Sequence, residues 1–126
     1  MVTAAYILVA VQIIVSLFQL ALVLGAPMGE YTLGGQTQGK LSAKLRIVSA
    51  ISLLLNLAIA GHYLAQAGTI QTLLPSDLNQ IANWALVAFT ASGLVMNSIS
   101  RSKKERNMWV PVLLLSLTCA VIVAIG

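Results

Sequence analysis

The chain has 126 residues, of which 59% are hydrophobic and 8% charged, with a formal net charge of +4 and a mean hydropathy of +0.94. Soluble domains carry roughly a quarter charged residues, so a soluble globule, a disordered chain and a disulfide-stapled secreted module are all excluded. A membrane helix takes ~20 largely apolar residues, and about four such spans with their links account for this length.

Met1 to Gly29 contains no charged side chain, and its density of Ile, Val, Leu and Ala predicts a first span over residues 4–24. A signal peptide carries its basic residues ahead of the apolar core. Here they come after it, so the segment reads as a span. Residues 25–44 hold five of the nine glycines together with Pro27, a composition that interrupts regular structure. The second span is predicted over 45–67, with Arg46 at its entry. Residues 68–81 form a short link without Lys or Arg, in which Asp77 is placed to cap the next helix. The third span covers 81–99. A compact basic link follows, ending in Asn107 as a second candidate cap. The fourth span covers 108–126, with Pro111 in its first turn, where a missing N–H costs little. The fold class expected is all-α, a transmembrane four-helix bundle forming a single integral membrane domain.

Charge placement sets the expected orientation. Lys40, Lys44 and Arg46 flank the first connection, and Arg101, Lys103, Lys104 and Arg106 fill the third. The middle connection has none. Seven against zero, under the positive-inside rule, puts the first and third connections in the cytoplasm and both termini on the opposite, periplasmic side. In so apolar a chain, Lys40, Lys44, Arg101, Lys103, Lys104 and Arg106 are expected to meet anionic lipid headgroups rather than nucleic acid. Tyr6, Tyr63 and Trp84 near outer ends, with Tyr31 and Trp109 near inner ends, fit two interfacial aromatic belts.

Every span also carries uncharged polar residues at helical spacing. Gln12, Ser16 and Gln19 share one face of the first, and Ser49, Ser52 and Asn56 one face of the second. Asn83, Thr90 and Asn97 recur at seven-residue steps on the third, and Ser116 stands on the fourth. At 1.5 Å per residue Gln12, Asn56, Thr90 and Ser116 fall near the midplane, and Gln19, Ser49, Ser52 and Asn97 nearer the cytoplasmic side. The reading preferred from sequence is interhelical hydrogen bonding that fixes the bundle, worth roughly 0.6 kcal/mol per pair. The alternative is a polar lining for a small solute or ion. Preference goes to packing because no ionisable residue joins either layer. Ser116, Ala120 and Ala124 form a small-residue ridge suited to close helix approach, as do Gly61 with Ala65 and Ala21 with Gly25.

Chemistry-bearing residues are few. Cys119 is the sole cysteine and sits in an apolar run, where a thiol serves as a small packing residue. His62 is the sole histidine; with no carboxylate or thiolate within a turn it builds no metal site, and a solvated interfacial role is expected. No nucleophile, metalloprotease, phosphate-loop or CxxC motif is present, so neither enzymatic activity nor a cofactor is expected. A proton-coupled antiporter places an acid within the membrane. Glu30, Asp77 and Glu105 all fall outside the expected span interiors.

The first connection is long for a helix–helix link, which typically has 2–8 residues, and long ordered loops tend to carry function. Gly25–Gly39 is therefore expected to fold back over the cytoplasmic helix ends, with Glu30 meeting Arg46 or Arg101.

Two segments carry a resemblance. Gly25-Ala-Pro-Met-Gly through Leu33-Gly-Gly, with Gly39-Lys-Leu-Ser-Ala-Lys-Leu-Arg-Ile-Val-Ser-Ala50, resembles the first connection of a family of small four-span bacterial integral membrane proteins without assigned function. Asn97-Ser-Ile-Ser-Arg-Ser-Lys-Lys-Glu-Arg106, followed by Trp109-Val-Pro-Val112, resembles their third. The resemblance implies a four-helix protein of the bacterial cytoplasmic membrane and supplies no activity. The role expected from the sequence is a non-enzymatic accessory or interaction subunit, packing against itself as a homo-oligomer or against a larger membrane complex. The alternative is an oligomeric channel or transporter for a small neutral or anionic solute.

Overall fold

A computed structural model describes all residues from Met1 to Gly126. It is all-helical, with four helices each long and apolar enough to cross a membrane. They are α1 (Val2–Val23), α2 (Ala43–Gln66), α3 (Ser76–Ser98) and α4 (Lys103–Ile125). The expected spans are present, with shifted starts.

The shifts have local causes. α4 begins at Lys103 because the Ser102 hydroxyl accepts from the Glu105 amide at 3.2 Å, an N-terminal cap of the ordinary kind. Asn107, the cap expected from sequence, is therefore inside the helix. Pro111 also lies within α4, beyond its first turn, and its ring leaves the Asn107 carbonyl without a ladder N–H. α3 begins at Ser76 after Pro75, and Asp77 sits in the first turn without a capping bond. There its charge faces the positive end of the helix dipole, so it supports the helix start without being the cap.

α1 and α4 pack on each other at the centre, α2 packs on α1, and α3 packs on α4. Two apolar clusters hold this arrangement. One joins α1, α2 and α4 through Ala5, Leu8, Ile59, Tyr63, Cys119 and Val123. The other lies at the opposite, basic end and joins Phe18 and Leu22 of α1 to Leu41 and Trp109. Ser116, Ala120 and Ala124 are all buried on α4, so that small-residue ridge is a packing surface, and Cys119 is a core residue within it. The Gly61 position differs, since a side chain there would meet nothing within 4 Å. Tyr63 and Trp109 are 2% and 8% exposed and belong to the core clusters, not to interfacial belts. Outward residues such as Ile14, Leu17, Ile51 and Leu54 are exposed, as hydrocarbon-facing positions are.

The first connection contains two 3-10 turns, Gly29–Tyr31 and Leu33–Gly35, folded back onto the start of α4. Glycine makes this approach possible. Gly35 has φ +74°, and a Cβ there would stand 2.5 Å from Ser102 Cβ. The loop closes on itself through the Gly29 amide, which donates to the Gly39 carbonyl at 2.8 Å.

Candidate functional site

Between the two apolar clusters the helices leave a cavity of about 520 Å³. Six of the polar residues expected in the intramembrane layers line it: Gln12, Gln19, Asn56, Thr90, Asn97 and Ser116. Ser52 does not. The walls are α1, α3 and α4, with Asn56 the one contribution from α2. Two of the α3 residues in its lining, Phe89 and Met96, are 53% and 65% exposed.

These polar residues do not tie helices together, which corrects the preferred sequence reading. Thr90 donates to the Leu86 carbonyl, Asn97 to Gly93 and Ser116 to Val112, each four residues back on its own helix. The buried Gln12 Oε1 accepts no hydrogen bond. A polar atom buried without a partner costs free energy, and Gln12 bears that cost beside the cavity.

Helix-to-helix polar bonding exists elsewhere, at the end away from the basic residues. His62 Nε2 and Asn83 Oδ1 are 2.7 Å apart. Asn83 Nδ2 donates to Gln66 Oε1, and Gln66 and Asn79 exchange two bonds of 2.7 and 2.9 Å. This network joins α2 to α3, two helices that otherwise pack on α1 and α4. His62 is 7% exposed, so it is a bonded structural residue and not a solvated one.

At the basic end the loop forms the cavity's floor through Tyr31, Thr32, Leu33, Gly34 and Gln36. Trp109 Nε1 donates to the Tyr31 carbonyl at 2.8 Å, and the Ser102 hydroxyl donates to the Glu30 carbonyl. The loop therefore does fold over the helix ends. Its Glu30 carboxylate meets Lys104 at 2.6 Å, not Arg46 or Arg101. Arg46 is occupied instead by the Val23 carbonyl at the end of α1, to which its Nε donates at 2.9 Å; that free carbonyl is the negative end of a helix dipole. Arg101 is exposed and forms no ion pair. Lys104 also lies 5.7 Å from the centre of the Tyr31 ring.

One residue of the site escaped the sequence reading. Glu105 is 5% exposed and lines the cavity, so an ionisable group does join the polar layer. The signal was present in Ser102-Lys-Lys-Glu105, the spacing of a capping box. Half of that box forms. The Glu105 carboxylate does not return to the Ser102 amide, which donates to Ser100 Oγ. It accepts instead from the Gly34 amide of the loop at 3.0 Å.

Neither a protein family, nor a curated protein, nor a solved structure matches the chain.

Proposed function

We propose that this is a small integral membrane protein of the channel or carrier class, which takes up a small hydrogen-bonding solute in its cavity without chemical conversion. One observation carries the reading: the intramembrane polar residues face a shared cavity and make no bonds between helices. Polar groups inside a membrane are costly and tend to mark solute or ion paths. The volume also falls in the range of small-molecule sites, roughly 300–1,000 Å³. This supports the solute-binding alternative over the accessory role suggested by composition alone.

The seven basic residues on two connections support a cytoplasmic placement of the loop that floors the cavity, with both termini periplasmic. Together with the resemblance, this favours a bacterial inner membrane. Exposed Lys40, Lys44, Arg101 and Lys103 are then positioned for anionic headgroups.

Uptake into proteoliposomes, with cationic, neutral and anionic solutes of similar size, tests the proposal. Saturable entry of at least one class above protein-free liposomes is expected. Equal leakage of all three in both preparations would overturn it.

A further inference from the structure

We propose that the ligand of the cavity is an organic ammonium that retains N–H hydrogens, anchored by the Glu105 carboxylate. The inference rests on the preceding reading of the cavity and goes beyond it by naming the ligand's charge and hydrogen-bonding type.

The hydrogen bonds already made within the lining are informative. Thr90 and Ser116 each spend their one donor on their own helix backbone, and Asn97 spends one of its two. All three keep an oxygen free to accept. Glu105 is acceptor-only when ionised; its Oε2 takes the Gly34 amide, and its other oxygen receives nothing from the protein. The Glu105 oxygen left free, with the Thr90 and Ser116 hydroxyl oxygens, suits a ligand that brings donors, and the side-chain amides of Gln12, Gln19, Gln36 and Asn56 are left for its polar remainder.

Charge points the same way. Among seven basic residues none pairs with Glu105: Lys104 is on Glu30, and the Arg46 and Arg106 guanidiniums are on backbone carbonyls. A buried carboxylate without a cation is held at a cost in free energy, which a cationic ligand offsets. The surrounding rings suit an organic cation as well. Phe18 and Trp109 meet edge-to-face with centroids 4.9 Å apart, and Tyr31 and Phe89 complete the aromatic lining. Ammonium groups are drawn to such ring faces. The N–H hydrogens separate this ligand from a quaternary ammonium, which offers charge but no donors. The same group occurs on free amines and on ethanolamine lipid headgroups.

The purified full-length protein with Trp84→Phe leaves Trp109 as the one tryptophan, reporting from the cavity wall. Benzylammonium, benzyltrimethylammonium and benzyl alcohol are titrated against its fluorescence. Saturable binding of benzylammonium is expected, at least tenfold tighter than either of the others, with Glu105→Gln abolishing that preference. Repeating the benzylammonium titration in nanodiscs of phosphatidylethanolamine and of phosphatidylcholine separates the sources. Weaker apparent binding in the ethanolamine lipid identifies a competing headgroup; equal binding identifies a free amine. If benzyl alcohol or the quaternary ion matches benzylammonium in the wild-type site, the inference is overturned while the solute-binding reading stands. If none of the three binds, both fall. The ranking in the wild-type cavity decides the matter even where Glu105→Gln does not fold.

Discussion

The Gly34 amide and the Glu105 carboxylate, 71 positions apart in the chain, meet at 3.0 Å. Their bond joins the first connection to the start of α4 at the floor of the cavity. It also diverts Glu105 from the capping-box partner that its position offers. Loop, helix start and cavity are thereby one unit.

Loop closure depends on backbone geometry more than on the surface ion pair. Gly35→Ala places a Cβ against Ser102 at a positive φ, a conflict of about 1–3 kcal/mol. It is expected to expose residues 30–40 to rapid proteolysis. Glu30→Gln removes an ion pair with an exposed Lys104 and keeps the backbone bond to Ser102, so resistance close to wild type is expected. Limited proteolysis of the two variants side by side, read by mass spectrometry, checks the order.

Stability follows the α2–α3 network and not the cavity residues. Asn83→Leu strips partners from both His62 and Gln66 and should cost about 1–2 kcal/mol. Asn97→Leu removes a bond within a single helix and should stay within about 0.5 kcal/mol of wild type. Unfolding titrations in mild detergent provide the comparison, and a larger loss for Asn97→Leu would reverse the assignment.

Topology has its own check. A reporter active only in the periplasm, fused after Gly126, is expected to be active. Neutralising Arg101, Lys103, Lys104 and Arg106 together should give mixed insertion, because the charge count that orients the helices falls from seven to three. Activity of a cytoplasm-only reporter at Gly126 would contradict the orientation.

The bundle was legible because hydropathy over some twenty residues is a strong, local signal. The shared depth of Gln12, Asn56, Thr90 and Ser116 was legible too, since helical rise converts numbering into height. Sequence could not show what those residues face. Thr90 and Ser116 can bond across helices or back to their own carbonyls, and only packing decides between the two. Glu105 was missed because it stands among Lys103, Lys104 and Arg106, where charge composition suggests a solvated link; its burial depends on a loop arriving from seventy residues away. Glu30 found a basic partner as expected, but the partner is Lys104, because the loop lies along the start of α4 while Arg46 is drawn to the end of α1.

The intramembrane polar residues line a shared cavity and do not serve as bonds between helices. Cysteine accessibility measures this directly. On a Cys119→Ser background, Thr90→Cys and Asn97→Cys replace cavity-lining residues, and Ser52→Cys replaces a polar residue in the same membrane half that stands outside the cavity. With a small water-soluble thiol reagent, the first two are expected to react at least tenfold faster than the third. Equal, negligible labelling at all three positions would contradict the account.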